Sequence, residues 1–430
     1  MIRNILYILI FILLFIGIEN LDLPVTSQGI STLIVGIMLL TSFLLADFIK
    51  KFHLPRLTGY MIMGIILGVS GVGILTETRI DNLHFLENLA LAFIALAAGG
   101  ELRFRELKKK IKSVSSILFS QMIIIFSGVA VLFVLASGYF PILAGFPPNV
   151  IIAFGLLFAG TALSTSPATT IGIITETNAQ GRITNLVLFI TVLKAIVLII
   201  FFPLIITITT GLTAGAGTPE TDLIPKFTFQ FVKSIFTGAI FGALIIWYLK
   251  KVKVEISIFL FAITLAISEL GFLFEFDVLL TAMICGIIVQ NFSSSGDDLI
   301  KGIEIFSLPV YVIFFCFAGA SLHLEVLGKA LYLTFFLVIV RLVLNFLGNY
   351  IGAVIAGESQ DVKRYSWMGY IGQAGIALGL GILIEKSLPV QYGNFFLTIL
   401  ISTVVINEMI GPILLKLTFE KAKETRREKG

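Results

Sequence analysis

Residues 160–170 read Gly-Thr-Ala-Leu-Ser-Thr-Ser-Pro-Ala-Thr-Thr and lie within an apolar run that covers about 149–172. Pro167 has no backbone N–H, so it removes one helical hydrogen bond that the hydroxyl groups of its neighbours can replace. A helix broken at mid-membrane exposes backbone dipoles that can hold an ion, provided that protein or water surrounds the break. The stretch therefore predicts a discontinuous membrane helix with a site for a small solute.

A second apolar segment, 366–385, has the same character because it is rich in glycine and carries one amide. The glycines are Gly369, Gly372, Gly375, Gly379 and Gly381, and the amide is Gln373. The centres of the two segments lie about 210 residues apart, which is the spacing expected of two repeats in one transporter. The alternative is tight packing of helices through small residues, which Gly64-x-x-x-Gly68 and Gly348-x-x-x-Gly352 also indicate.

The composition indicates that lipid is the solvent of this chain. Of 430 residues, 57% are hydrophobic and 13% are charged, and the mean hydropathy is +1.05, outside the range of soluble domains. The formal charge of +4 does not indicate nucleic acid, because the basic residues cluster at the ends of apolar segments. The sequence has no soluble-enzyme motif and no Cys/His metal spacing. We expect a bilayer protein that is not an enzyme and needs no cofactor.

The hydrophobic segments predict an all-α polytopic membrane protein with about 13–14 transmembrane helices. The segments lie near 30–49, 55–74, 84–100, 112–138, 149–172, 183–213, 227–249, 254–271, 277–291, 303–321, 329–355, 366–385 and 391–418. An additional run, 5–18, is either a first helix or a signal-like segment, and the former is favoured because no A-x-A cleavage site follows. The predicted divisions are 1–29 for this extra segment, 30–418 for the transmembrane domain and 419–430 for a short charged tail.

Basic residues predict the orientation, because Lys and Arg accumulate in cytoplasmic loops. One side of the alternating segments receives the clusters near 50–56, 103–110, 250–253 and 363–364, together with Arg182 and the tail from Lys421. That side is predicted to be cytoplasmic. The prediction places the C-terminus in the cytoplasm and the protein in the inner membrane as a multi-pass protein.

Charged residues deep in lipid cost about 2.5 to 3.5 kcal/mol each on insertion scales, so each one suggests a function. Lys194 is the strongest single candidate, because roughly eight apolar residues flank it on either side. Arg341 and Glu408 lie within two later segments. The alternative to a transport role is a buried structural ion pair, such as Lys194 with Glu408.

Several short motifs follow one another along 30–418. They are Leu54-Pro55-Arg56-Leu57-Thr58-Gly59-Tyr60, Gly99-Gly100-Glu101-Leu102, Thr165-Ser166-Pro167, Ala318-Gly319-Ala320-Ser321-Leu322, Arg341, the stretch from Gly369 to Gly381, and Asn407-Glu408-Met409-Ile410-Gly411-Pro412. Their joint order resembles the cation:proton antiporter superfamily, in particular its bacterial sodium/hydrogen exchanger and glutathione-gated potassium efflux branch. The resemblance covers nearly the whole of the predicted transmembrane domain.

The resemblance implies a homodimer in which each chain has a dimerisation bundle and a mobile core of two inverted repeats. The broken helices of the repeats cross near the site of a small inorganic ion. By this resemblance Thr165, Ser166 and Pro167 form the broken-helix site, and Arg341 is the basic residue beside the ion. Gln373 lies in the second glycine-rich segment and is a further candidate ion-binding residue.

One position departs from the family pattern. In the family, the helix after the Thr-Ser-Pro segment carries one or two acidic residues that alternately bind cation and proton, and here Lys194-Ala195 stands in that place. A carboxylate can exchange a proton for a cation, whereas an alanine cannot, and a neighbouring ammonium repels cations. Both residues are therefore candidate site residues with altered chemistry, and Glu408 is a candidate acid elsewhere.

Three functions remain open at this point. The first is a monovalent cation (Na⁺ or K⁺):proton antiporter with non-standard coupling, in which a desolvated Lys194 handles the proton. The second is an anion carrier or channel, because Lys194, Arg341 and two half-helix N-termini make the site positive. The third is a non-transporting sensor or partner subunit, which the missing acidic residue supports.

Overall fold

The computed structural model describes residues 7–13, 17, 27–213, 223–321, 331–373 and 375–425. These residues form α-helices, short 3-10 helices and connecting turns, and no strand is present among them. The all-α prediction is therefore confirmed. Within the expected run 5–18, residues 7–13 are helical, and the remainder other than residue 17 lies outside the described residues.

From residue 27 onward the described helices follow in chain order. They are α1 (Ser27–Lys50), α2 (Arg56–Leu67), α3 (Glu77–Glu101), α4 (Phe104–Ala136), α5 (Pro148–Ala162), α6 (Pro167–Thr177), α7 (Arg182–Thr213), α8 (Leu223–Lys251), α9 (Ile256–Phe274), α10 (Val278–Phe292), α11 (Gly296–Ala320), α12 (Leu331–Ala356), α13 (Gln360–Tyr365), α14 (Gly375–Ser387) and α15 (Val390–Lys421). Short 3-10 helices cover Ser137–Tyr139, Pro141–Leu143 and Ser366–Tyr370.

Each of the thirteen membrane segments predicted from residue 30 onward contains a described helix. Within the described chain, 10 stretches are long and apolar enough to cross a membrane, and three shorter apolar helices accompany them. The predicted end of the second segment is wrong, because α2 ends at Leu67 rather than near residue 74. The helix ends there because the backbone of Gly68 is extended, with ψ at −170°. The chain then folds back, and the N–H groups of Val72 and Leu75 donate to the oxygens of Ile66 and Leu67, each at 2.7 Å. In addition, α3, α4 and α11 begin seven or eight residues before their predicted segments.

Two of the segments are interrupted, as their proline and glycine content predicts. α5 ends at Ala162 and α6 begins at Pro167, which occupies the first helical position, where a missing N–H is harmless. In the second segment, the 3-10 turn at Ser366–Tyr370 leads into a non-helical stretch at 371–373 before α14 begins. Each interruption leaves backbone polar groups in the middle of an apolar segment.

The helices pack as two groups. One apolar cluster is shared by α4, α5, α7, α12, α14 and α15. We call these six helices, together with α6, the core. The group that we call the bundle comprises α1, α2, α3, α9, α10 and α11, and α8 contacts both α10 and α7. Glycines permit close approach in both groups: a Cβ at Gly352 would lie 2.5 Å from the Ile117 Cα, and one at Gly68 would lie 2.5 Å from the Ala320 oxygen. The two small-residue motifs therefore do pack tightly, as predicted.

Candidate functional site

The two interruptions meet inside the core. The Ser166 N–H donates to the Gly372 oxygen at 2.9 Å, so the backbone of one break is bonded directly to the backbone of the other. The Ser166 Oγ in turn accepts a hydrogen bond from the Thr169 N–H at 3.1 Å and lies 2.9 Å from the Thr169 Oγ1. This hydrogen bonding caps the N-terminus of α6. We call the junction of the two breaks the crossing.

Arg341 lies against both breaks from α12 and is almost fully buried. Its guanidinium donates to the oxygens of Ala162 at 2.9 Å, Ser164 at 2.8 Å, Ile371 at 2.6 Å and Tyr370 at 3.1 Å. These oxygens lie at the C-terminal end of α5 and of the 3-10 turn at Ser366–Tyr370, where carbonyl groups lack helical partners. The planar fork of an arginine suits such a set of acceptors, and its charge complements the negative end of a helix dipole.

A chain of amide hydrogen bonds continues from the crossing to α15. The Gln373 Nε2 donates to the Thr161 oxygen at 2.8 Å and to the Ser164 Oγ at 2.9 Å. The Asn407 Nδ2 donates to the Gln373 Oε1 at 2.8 Å. Gln373 therefore ties the second break to the end of α5, and Asn407 fixes its orientation.

Glu408 reaches the crossing from the same helix. Its side chain is 3% exposed, and its Oε1 accepts a hydrogen bond from the Thr169 hydroxyl at 2.5 Å. Among the described residues, the Glu408 Oε2 has no hydrogen-bond partner, and neither has the hydroxyl of Thr165 or the Oδ1 of Asn407. A Cβ built on Gly372 would lie 3.5 Å from that Oε2. The crossing thus holds one buried carboxylate and three buried side-chain oxygens that have no hydrogen-bond partner among the described residues.

Lys194 lies away from this carboxylate. It is 1% exposed, its Nζ donates to the Gln121 Oε1 at 2.5 Å, and the same nitrogen lies 5.1 Å from the centroid of the Tyr370 ring. Within the described part of the chain no ion pair joins Lys194 to Glu408, so the suggested pair between them is wrong. Ala195 is buried beside Lys194 and contributes no polar side chain.

Cavities extend towards the crossing from between the two helix groups. The larger has a volume of about 440 Å³, lies between α3, α8 and α10 on one side and α7 and α14 on the other, and is lined by both Gln230 and Asp277. A narrow second cavity shares Leu91, Leu279 and Ile376 with it and is lined by Ser166 and Pro167. This second cavity has a volume of about 10 Å³ and lies at the N-terminus of α6, beside the larger one.

The comparison with known proteins agrees with this architecture. The model of the transmembrane sodium/hydrogen exchanger family matches residues 34–421. The chain belongs to the sodium/hydrogen exchanger family. It is 21% identical over 375 residues to an Na(+)/H(+) antiporter of Enterococcus hirae, a match that covers 85% of this chain and 92% of the relative. It is 24% identical over 390 residues to the probable Na(+)/H(+) antiporter 3 of Methanocaldococcus jannaschii, covering 89% and 95%.

Two further similarities extend over most of the exchanger domain. The Na(+)/H(+)-K(+) antiporter GerN of Bacillus cereus is 23% identical over 392 residues, covering 90% of this chain and 95% of the relative. A solved structure of the sodium proton antiporter MjNhaP1 from Methanocaldococcus jannaschii superposes with a TM-score of 0.70 at 18% identity, covering 92% of this chain and 98% of that one. The structural likeness establishes the fold, and the predicted superfamily is confirmed.

The structure places five of the predicted site residues together at the crossing: Thr165, Ser166, Pro167, Arg341 and Gln373. Three polar partners were not predicted as site residues, namely Gln121, Thr169 and Asn407. Each was visible as a polar residue within an apolar run. Their partners depend on how distant helices pack, which hydrophobic periodicity does not indicate.

Proposed function

We propose that this exchanger-family member is a monovalent cation:proton antiporter that moves Na⁺ or K⁺ against protons at the crossing. The observation that carries the proposal is the engagement of Arg341 by four backbone carbonyl oxygens. Because these bonds occupy most of the donors of the guanidinium, Arg341 stabilises the broken backbone rather than presenting a free positive group to an anion. The crossing then offers oxygen atoms, which are the ligands that hard cations prefer.

The proposed site comprises Thr165, Ser166, Pro167, Gln373 and Arg341. Hydroxyl and amide oxygens of these residues supply polar groups, and Pro167 maintains the break in the helix. Family membership supports antiport as the function, since the relatives named above are antiporters of Na⁺ and H⁺ by name.

An anion carrier is the second candidate, and one observation favours it. Lys194 is a buried cation whose Nζ donates to the neutral amide of Gln121. An ammonium that no carboxylate neutralises makes its surroundings attractive to an anion. Ion selectivity separates the two candidates directly.

We further propose that the protein is a multi-pass homodimer of the inner membrane with a cytoplasmic C-terminus. The distribution of basic residues supports this orientation, because the clusters at 103–110 and 250–253 lie at the same side as the end of α15 in a regular alternation of helices. Cross-linking in native membranes and protease protection of the C-terminus test assembly and orientation respectively.

Ion flux in proteoliposomes with an imposed pH gradient tests the proposed function. The purified chain is compared in sodium, potassium and chloride-substituted media, with Arg341→Met as the inactive control. Proton movement that depends on sodium or potassium supports the antiporter, whereas flux that follows the anion supports the second candidate. A folded protein that moves no ion contradicts both.

The role of Lys194 is tested in the same assay with Lys194→Met. Loss of exchange from a variant that retains its fold supports Lys194 as the carrier of the proton. Unchanged exchange assigns Lys194 a purely structural role in contact with Gln121 and Tyr370.

A further inference from the structure

We propose that Glu408, on α15, supplies the carboxylate that binds the transported cation at the crossing. The inference rests on the proposed antiport function and names the cation-binding group of that site. The expected position on α7 holds Ala195, whose side chain has no oxygen. A cation-binding site therefore requires a carboxylate from another helix if it is to carry a negative charge.

Glu408 has the coordination capacity that such a group needs. One of its oxygens accepts from the Thr169 hydroxyl, and among the described residues the other has no hydrogen-bond partner. The Gln373 N–H also faces this carboxylate, but two oxygens with several lone pairs leave capacity for a further ligand. Buried polar atoms without partners are rare in folded proteins, and an ion that binds there is one explanation.

The position of Glu408 also explains how an ionised carboxylate is tolerated in the core. Thr169 is the third residue of α6, whose N-terminus is capped by Ser166. The first turn of a helix carries partial positive charge, which stabilises a neighbouring anion. A cation that binds the free oxygen of Glu408 completes the neutralisation without displacing the hydrogen bond to Thr169.

Neighbouring oxygens give the site a further supply of cation ligands. The Thr165 hydroxyl and the Asn407 Oδ1 are buried at the same crossing and have no hydrogen-bond partner among the described residues. Hard cations take carboxylate, hydroxyl and amide oxygens as ligands. The small cavity lined by Ser166 and Pro167 lies at the same end of α6.

Three other shielded carboxylates of the described chain, those of Glu176, Asp277 and Glu358, are already engaged. Both oxygens of Glu176 accept from the Arg56 N–H, at 2.8 and 2.9 Å. Asp277 caps α10 by accepting from the Leu280 N–H, and Glu358 is paired with Arg182. Within the described residues, Glu408 is the buried carboxylate that retains an oxygen without a partner.

The alternative role for Glu408 is to anchor α15 on α6 through Thr169. Glu408→Gln distinguishes the two roles, because an amide oxygen still accepts from the Thr169 hydroxyl while the charge is lost. Glu408→Asp keeps the charge but withdraws it from the crossing. Glu269→Gln is the matched control, since Glu269 is an exposed acidic residue of a membrane helix, α9.

The experiment uses the full chain in proteoliposomes and measures proton movement against sodium and potassium concentration at fixed pH. We expect Glu408→Gln to lower cation-dependent exchange by about tenfold or more, and Glu408→Asp to raise the KM for the cation by a similar factor. Glu269→Gln is expected to behave as the unaltered chain. Thermal unfolding in detergent supplies an independent readout of binding, because a cation that binds the folded state raises the Tm of the unaltered chain but not that of Glu408→Gln.

The outcomes separate failure of this inference from failure of the proposed function. If the unaltered chain exchanges cations and Glu408→Gln does so at the same rate with the same cation-dependent rise in Tm, the assignment of Glu408 is overturned while antiport stands. If the unaltered chain moves no cation and sodium and potassium leave its Tm unchanged, antiport itself fails. Should Glu408→Gln not fold, an unchanged KM in Glu408→Asp overturns the assignment.

Discussion

Arg341 shows how a single side chain can hold two interrupted helices together. Arg341→Lys retains the charge but replaces a planar fork with one ammonium, which cannot satisfy the oxygens of Ala162, Ser164, Tyr370 and Ile371 together. Each buried carbonyl left without a donor costs about 1 to 3 kcal/mol. We expect a lower unfolding temperature in detergent and slower exchange in proteoliposomes. An Arg341→Lys protein with unaltered unfolding and flux would contradict this account of the crossing.

Removing the charge of Lys194 is expected to raise the unfolding temperature, in contrast to the change at Arg341. Its ammonium is buried and its hydrogen bond goes to the neutral Gln121, an arrangement in which the desolvation of the charge is poorly compensated. Replacing buried charged groups by apolar groups of similar volume is often stabilising, by about 1 to 4 kcal/mol. The double variant Lys194→Met/Gln121→Leu is therefore expected to unfold at a higher temperature than the unaltered chain.

The single variants serve as controls for Lys194→Met/Gln121→Leu. Gln121→Leu alone leaves the buried ammonium without its acceptor and is expected to be the least stable of the set. If the double variant is less stable than Gln121→Leu alone, the charge at Lys194 contributes favourable interactions that the hydrogen bond to Gln121 does not account for. The comparison requires thermal unfolding of all three purified variants in one detergent.

At the scale of helices, the crossing depends on how closely α15 approaches the second break. A Cβ at Gly411 would lie 2.5 Å from the Cα and 2.7 Å from the nitrogen of Gly372, so α15 contacts this backbone directly. Gly411→Ala is expected to displace Gly372 and to reduce exchange by about tenfold or more, since sub-ångström displacement of a site is costly. Proteoliposome flux measures the loss, and membrane insertion is expected to continue.

Gly379→Ala is the matched control for this prediction. Gly379 lies on α14, and a Cβ there would meet nothing within 4 Å. Alanine is the better helix former by about 1 kcal/mol, so this variant is expected to be at least as stable as the unaltered chain. Equal flux from the two alanine variants would show that the contact between α15 and the second break is not critical.

The same elements show what a sequence can and cannot predict. Pro167 and the glycines of 366–385 predicted both interruptions, because their backbone chemistry is local. The partner of Lys194 could not be predicted, since Gln121 lies on α4 and meets it only when distant helices pack. The end of α2 was misplaced because residues 68–75 are apolar enough to extend a membrane segment although the chain turns at Gly68.

At the scale of the whole molecule, the core and the bundle enclose an asymmetric space. Pro203 of α7 lines the larger cavity. It lies about 30 Å along the helix from Arg182, the first residue of α7, because an α-helix rises about 1.5 Å per residue. Near the opposite end of α7, Glu176 of the core accepts the Arg56 N–H of the bundle, and the Lys416 Nζ donates to the His53 oxygen at 3.0 Å. The molecule is therefore open between its two helix groups at one end and joined across them at the other.

This asymmetry predicts which face admits a solute in the conformation described. Gln230 lines the larger cavity, so Gln230→Cys is expected to react with a membrane-impermeant maleimide added outside cells. Lys251 is exposed at the other end of α8, so Lys251→Cys is expected to react only from the cytoplasmic side. The native Cys285 and Cys316 are fully buried and are not expected to react.

Adding Glu176→Gln to Gln230→Cys weakens the contact with Arg56 and shifts the population towards the conformation open at the opposite end. The labelling rate of Gln230→Cys is then expected to fall by a few fold, and a rate that rises or stays constant would show that the Glu176 contact does not hold that end closed.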